Sequence, residues 1–331
     1  MKVYVQAPAD LCSGGPELLH QLVGELRSQG VNAYIFYRKP RSTVNPRYEQ
    51  YNVCVEEPQD EVGNLIVLPE VGTHLAKKFK RATVAIWWLS IDNYFESVNS
   101  FNETGFRGKL LSLARKPLAI GSMAHLEHFS QSWYARDFLE SRGFQPRMLS
   151  DFLSDSHLVT ETSSVREDRI ALNPKKGLAT NQRLFDTFPH LEFAPIKGLS
   201  PKAVADLLRS VKLYIDFGAH PGKDRIPREA AMAGCCVVTG LRGAARNEFD
   251  VYIPSLFKLD EEDPSFLAKF ASVTSMIFDN FEEVSQEFDL YRNVIRLEPD
   301  VFRSQVRDIF AKPFGVSASI PAGARGFSTT P

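Results

Sequence analysis

Short apolar runs that alternate with amphipathic helical segments constrain this chain more than any other feature. KVYVQAP reads as a strand and PELLHQLVGELRSQG as the helix after it. In that helix Leu18, Leu19, Leu22, Val23 and Leu26 recur at spacings of three and four, and Gly30 ends the segment. NAYIFYR, LIVLPE, TVAIWWLS and KPLAIGSM follow as strands, with helices expected through THLAKKFKR and EHFSQSWYARDFLESRG; PRMLSDFL completes this half. Residues 154–168 are polar, rich in Ser and Thr, and without periodicity, as a linker would be. A second series then runs RIALNP, TNQRLFDTF, LEFAPI, SPKAVADLLRSV, KLYIDFG, PREAAMAG and CCVVTG, strand and helix by turns. Two further helices are expected over roughly 263–295 and 298–311.

Strands alternating with helices predict parallel sheets. Two tandem series predict an α/β protein of two doubly wound, Rossmann-like domains facing a cleft. The expected division is 1–158 for the first domain and 159–312 for the second, with 313–331 as a flexible tail, since that last stretch is small, polar and unpatterned. At roughly 100–200 residues per domain, 331 residues fit two cores. In such folds ligands lie outside the carboxyl ends of the strands, so the cleft is the expected site.

The net charge of −1 gives no bulk field for nucleic acid or acidic lipid, and any anion site must be local. The four cysteines, Cys12, Cys54, Cys235 and Cys236, have no metal-ligand spacing and are expected to be reduced. The N-terminus is too short and polar for a signal peptide, and no run of about 18 apolar residues exists. These features predict a cytoplasmic protein. The run KKFKR (77–81) reads first as a solvated helix face; contact with anionic lipid at the inner face of a membrane is the second reading.

One stretch carries the most chemistry. HPGKDRIPREAAMAGCCVVTG (220–240) follows a strand and opens a helix. Pro227 near the helix start has its φ preset, and the free amides of that first turn favour an anion. Lys223, Arg225 and Arg228 reinforce such a site, and Glu229 can accept hydrogen bonds from hydroxyls. A ligand carrying phosphates and a ribose would use both; a solvated, charged helix cap would show the same spacing.

This stretch resembles the donor-site signature of GT-B nucleotide-sugar glycosyltransferases, in which a Gly-containing loop precedes a helix reading Glu-Ala-hydrophobic-Ala-Gly. Glu229 falls on the Glu that holds ribose hydroxyls in that pattern, with Ala230, Met232, Ala233 and Gly234 in register. Gly14 and Gly15, before the first helix, are similar to the family's N-terminal Gly-Gly loop, and Lys176–Gly177, preceded by Lys175, is similar to its Lys-Gly pair. The likeness departs in two places. Pro221, beside His220, stands where retaining members often carry a second Glu, and Ala171 stands where an Arg is common.

The resemblance implies a metal-independent transferase that moves a sugar from a nucleotide-sugar donor to a glycan or glycolipid, as in bacterial surface polysaccharide synthesis. The donor would bind the C-terminal domain at Lys175, Lys176, His220, Gly222, Lys223, Arg225, Arg228 and Glu229, while Gly14 and Gly15 of the N-terminal domain would bring backbone amides close to the donor diphosphate or the acceptor. The acceptor would bind the N-terminal domain. No cofactor, metal ligand or nucleic-acid partner is implied, and no Asp-x-Asp motif occurs. Asp92, after the strand TVAIWWLS, and Glu17, after the Gly-Gly loop, are the expected catalytic bases; a helix or turn cap is the other reading of Asp92. A non-catalytic nucleotide- or glycan-binding module and a nucleotide-sugar epimerase of similar architecture stand as the alternatives.

Overall fold

The computed structural model describes residues 1–9, 11, 14–39, 42–103, 115–154, 158 and 165–311. Cys12, most of the expected linker and the 313–331 tail lie outside the described residues. The first sheet holds β1 (Lys2–Ala7), β2 (Asn32–Tyr37), β3 (Leu65–Pro69), β4 (Thr83–Trp88), β5 (Glu127–Ser130) and β6 (Arg147–Met148) in the order β2-β1-β3-β4-β5-β6. Every pairing is parallel, from Val3 beside Ala33 and Leu65 to Phe129 beside Arg147. The second sheet holds β7 (Glu167–Leu172), β8 (Glu192–Pro195), β9 (Val211–Asp216) and β10 (Cys236–Thr239) in the order β10-β9-β7-β8, again all parallel. Both orders reverse their winding beside the first strand, between β1 and β3 and between β7 and β9. The loops after those strands diverge there and leave a crevice.

Among the described residues the helices are α1 (Gly14–Ser28), α2 (Ile91–Glu103), α3 (Trp133–Glu140), α4 (Leu178–Thr187), α5 (Pro201–Ser210), α6 (Arg225–Met232), α7 (Phe266–Asp279), α8 (Phe281–Gln286) and α9 (Asp289–Phe310). Three elements depart from the sequence reading. THLAKKFKR forms part of a 3-10 segment, Glu70–Lys78, rather than an α-helix. KPLAIGSM is no strand: the fifth strand is EHFS, which the periodicity had merged into the following helix. EHFS is short and polar at its start, and its place is fixed by pairing with the buried β4 rather than by propensity.

The third departure concerns the C-terminus. A single helix, α9, runs through Pro299 instead of breaking near it. A proline inside a helix removes one backbone hydrogen bond and costs about 3 kcal/mol. Tertiary anchoring on both sides outweighs that cost here. Tyr291 and Ile295 are buried in the C-terminal core, whereas Phe302, Val306, Ile309 and Phe310 pack with Leu22, Val23 and Phe129 in the N-terminal core. The last helix therefore departs from a plain division into 1–158 and 159–312: it starts in one core and ends in the other.

A buried ion cluster joins the halves where α9 crosses. The Arg228 side chain is wholly buried; its guanidinium donates to Asp151 Oδ2 (2.6 Å) and to Glu298 Oε2 (2.7 Å). Glu298 also meets Lys223 Nζ at 2.6 Å. Asp151 in turn accepts from Gln131 Nε2 (2.9 Å), while Gln131 Oε1 accepts from the backbone N–H of Lys223 (3.0 Å). Asp250, from the C-terminal half, caps α3 of the N-terminal half by accepting from the N–H groups of Trp133 and Tyr134, both at 2.8 Å.

Phe302→Ala should lower stability by about 3–5 kcal/mol, the range for emptying a buried aromatic site, with the loss falling on the N-terminal core although the residue is near the C-terminus. Denaturant unfolding with a tryptophan signal from Trp87 and Trp88 reads this directly. Asp151→Asn leaves Arg228 half-compensated in a dry site and should cost about 3–5 kcal/mol. A loss below about 1 kcal/mol would show that the cluster is not what ties the halves together.

Candidate functional site

The carboxyl ends of both sheets meet at a cleft of about 720 Å³, within the range of small-molecule sites. Gly14, Gly15 and Glu17 enter it from the start of α1, after β1. Glu70 enters after β3, Leu89, Ser90 and Asn93 after β4, and Gln131 after β5. The facing wall comes from Ile196, Leu199 and Val204 after β8, and from Pro221, Gly222, Lys223, Asp224, Arg225, Ile226 and Glu229 after β9. The glycine at 222 is required by close approach: a Cβ there would collide with the Leu89 carbonyl oxygen and come within 3.0 Å of Gln131 Oε1. The neighbouring Pro221 carbonyl accepts from Ile91 N–H at 3.2 Å. The 218–224 loop thus bears directly on the opposite domain.

The expected cations are not a free anion cradle. Arg225 is paired with Glu17 across the cleft and with Glu229 on its own helix (3.2 Å). Glu17 also accepts from Tyr51 Oη at 2.8 Å. Lys223 is held by Glu298, and Lys176 by Asp224, with Asp216 3.8 Å away. Arg228 faces no cleft at all; it is consumed by the domain-joining cluster. Lys175 is exposed, and its backbone N–H turns back to Asn173 Oδ1 (3.1 Å), so its side chain is a surface group. Among the described residues, three cationic side chains, Arg47, Lys223 and Arg225, line the cleft against five carboxylates, Glu17, Glu70, Asp151, Asp224 and Glu229. The sequence showed the cations as a cluster with Glu229 beside them; the other compensating pairs join distant positions and could not be read from the stretch.

His220 is also not a cleft residue. It is fully buried between two carboxylates, Nδ1 at 3.0 Å from Asp224 and Nε2 at 3.5 Å from Asp216. Burial opposes its charged form, but the two acids outweigh burial and raise its pKa above the ordinary imidazole range. Asp216, His220 and Asp224 bring one ligand atom each within 4.8 Å of one another, the spacing of a metal site. The Lys176 ammonium sits on the same two carboxylates, where a cation would sit, so the cluster is already compensated.

Of the two expected bases, Glu17 lines the cleft and Asp92 does not. Asp92 sits in the first turn of α2 and accepts from Tyr134 Oη at 3.2 Å. The cleft side of that turn belongs to Ser90 and Asn93 instead. His20, one turn beyond Glu17, is buried with both ring nitrogens engaged, by the Pro16 carbonyl (2.6 Å) and Tyr37 Oη (2.9 Å). Glu70 was missed. It ends the strand LIVLPE at the carboxyl edge of the sheet, the same positional signal that pointed to Asp92, and that signal could have found it.

Glu70 is 2% exposed, and its Oε2 accepts from the Leu89 N–H at 3.0 Å. Burial pushes its carboxyl up to about 7, against the opposing pull of backbone N–H groups, including those of Leu89 and Ser90.

No family model and no curated relative matches the sequence. Solved structures do match the fold. A sucrose-phosphate synthase from Thermosynechococcus elongatus superposes with a TM-score of 0.64 at 11% identity, covering 94% of this chain and 98% of that one. The Anabaena protein HepE, solved in complex with UDP, gives 0.59 at 12% identity with 94% and 98% covered. A glycosyltransferase from Rickettsia africae gives 0.56 at 11% identity with 94% and 97% covered. At such identities the likeness is one of architecture, and it runs the length of both chains. With two parallel, doubly wound sheets whose carboxyl edges meet at one cleft, this protein has the GT-B fold of those glycosyltransferases.

Proposed function

We propose that the protein is a glycosyltransferase that takes a sugar from a nucleotide-sugar donor and passes it to a hydroxyl of a glycan or glycolipid. One observation carries this reading. Glu229, the first turn of α6, the Gly14–Gly15 turn and the apolar Ile196, Leu199 and Val204 all open into a single cleft at the switch points of both sheets. A nucleotide needs that combination: an acid for ribose hydroxyls, helix-start amides for phosphate, and an apolar wall for a base. Structures of the same fold have been solved with UDP, with UDP-glucose, and with ADP and acarbose, which supports a nucleotide-sugar donor here.

The phosphates would meet Arg225 and the free amides of α6 first. Arg225 is held by Glu17 before any ligand arrives, so the donor must displace one carboxylate to gain one cation. Leaving-group charge would then be stabilised by Arg225, Lys223 and the helix start, without a requirement for a divalent metal. No helix among the described residues is long and apolar enough to cross a membrane, and a glycolipid acceptor would be reached from the surface of one.

A second reading has its own observation. The compensated cations and the Pro221 position suit a module that binds nucleotide without turnover. Release of nucleoside diphosphate from a nucleotide sugar separates the two.

Glu229→Ala should weaken binding of the cognate nucleoside diphosphate by about 1.5–3 kcal/mol, or roughly tenfold to a hundredfold, in titration calorimetry. Unchanged affinity would remove the ribose contact. Glu17→Gln removes one of the two carboxylates that hold Arg225 and should strengthen nucleoside diphosphate binding about fivefold, on the order of 1 kcal/mol, while leaving the bare nucleoside unaffected. Equal changes for both ligands would show that Arg225 does not meet phosphate. Transfer should persist in EDTA, and a strict Mg²⁺ requirement would count against the metal-free scheme.

A further inference from the structure

Among the described residues five carboxylates line the cleft, and four of them are neutralised. Glu17 and Glu229 share Arg225, Asp151 holds Arg228, and Asp224 holds Lys176. Glu70 differs: among the described residues no cationic side chain lies within ion-pair distance of it, and its carboxylate is met by backbone N–H groups, that of Leu89 at 3.0 Å and that of Ser90. Those two amides belong to the turn that joins β4 to α2, so the carboxylate is held on a rigid edge. It projects from the N-terminal sheet, across the cleft from Glu229 and α6, and follows β3 at the switch point beside the Gly14–Gly15 turn.

Among the described residues, the elements packed around Glu70 bring no counter-charge within ion-pair distance; Arg47 of the 3-10 turn Pro46–Tyr51 lines the same cleft, and Lys77 and Lys78 at the far end of Glu70's own 3-10 segment are exposed. β3 and β4 carry no ionisable side chain. On α2, Asp92 is engaged by Tyr134, and Tyr94 Oη donates to the Leu118 carbonyl at 2.6 Å. Glu96, also on α2, would add only like charge. On its own 3-10 segment His74 is kept neutral, its pKa lowered to about 4 by burial and by nearby cations led by Arg38. From the facing wall, Arg225 is closed on Glu17 and Glu229, and Lys223 on Glu298.

A carboxylate buried without a cation costs stability, and a glutamine could accept the Leu89 hydrogen bond without that cost. We infer that Glu70 is the proton acceptor of the transfer reaction. The inference rests on the transferase reading. The acceptor hydroxyl loses its proton to a Glu70 carboxylate oxygen as its own oxygen bonds to the anomeric carbon. The bond from that carbon to the donor phosphate breaks, and its electron pair leaves on the nucleoside diphosphate. Attack comes from the N-terminal wall and departure is toward α6, so the anomeric configuration inverts. Burial tunes Glu70 for this task, because a carboxyl raised to about 7 is partly ionised at neutral pH and takes a proton more readily than an ordinary carboxylate.

The test uses Glu70→Gln and Glu70→Asp in the full chain with three measurements: UDP, GDP and ADP binding, nucleoside diphosphate release from a panel of UDP-, GDP- and ADP-sugars, and melting at two pH values. Wild-type turnover should rise with pH through about 7 and level off. Glu70→Gln should lose about 10²–10⁴-fold in turnover, together with that pH dependence, at unchanged nucleotide affinity. Glu70→Asp should keep a pH-dependent remnant. The melting measurement needs no substrate. A carboxyl raised from 4.5 to about 7 in the folded state makes the protein lose stability as pH climbs between those values. Glu70→Gln should therefore melt above wild type at about pH 8 and not at about pH 5.

Full turnover in Glu70→Gln overturns the assignment, as does a melting loss at both pH values, which marks a structural brace. Nucleotide binding with no release from any nucleotide sugar also overturns it, leaving the donor site intact. Absence of nucleotide binding overturns the donor-site reading instead, and the proton-transfer role with it.

Discussion

The buried guanidinium of Arg228 is the interaction on which the rest depends. It sits at the start of α6, the helix that borders the cleft, and it grips one acid from each flank: Asp151 at the end of the N-terminal half and Glu298 on the returning helix α9. A charge this deep is tolerated only when its partners are fixed, and each partner here is fixed by something else. Asp151 is held by Gln131, which also takes the Lys223 N–H, and Glu298 is shared with Lys223. The position of the 218–224 loop, and through it the width of the cleft, follows from satisfying this one residue. That is a different use of the basic stretch from the one its composition suggests. Arg228, one turn into the helix, acts as a rivet, and Arg225 and Lys223 of that stretch keep an edge on the cleft.

The fold was largely legible in the sequence because it is written in periodicity. Nine of the ten strands among the described residues fall on apolar runs that a period-two or continuous pattern marks, and α1, α5 and α6 begin and end near the Gly, Ser and Pro signals that predict them. The failures have a common physical origin. EHFS pairs with a buried neighbour that supplies its order from outside, and α9 crosses Pro299 because two separate cores hold its ends. Neither effect is local, so neither leaves a local mark.

The site was legible in place but not in charge. Gly14, Gly15, Glu17, Gly222, Lys223, Arg225 and Glu229 do converge on one cleft, as strand-end position implied. What the sequence could not show is which acid each base would meet. Lys176 and Asp224 are 48 positions apart, and Glu17 and Arg225 are 208 apart. Reading cations without their distant partners made the cleft look basic, whereas among the described residues its carboxylates outnumber its cations. Asp92 failed for a finer reason: a residue after a strand can face either side of the first helical turn, and the cleft side went to Ser90 and Asn93. Glu70 precedes its turn and has no such freedom.

The course of α9 has a consequence for how the protein is made. Phe302, Val306, Ile309 and Phe310 complete a hydrophobic core whose other members, from Val3 to Leu149, are translated first. A ribosome adds residues at about 5–20 per second, so this first half waits on the order of ten seconds or more with an open apolar face. During that interval it is not a finished domain but a nascent intermediate, and it is the part of the chain most exposed to chaperones and to aggregation. The C-terminal half has no such delay, since its strands and the start of α9 are contiguous. The order of synthesis and the order of completion are therefore reversed: the half that emerges first is the half that closes last.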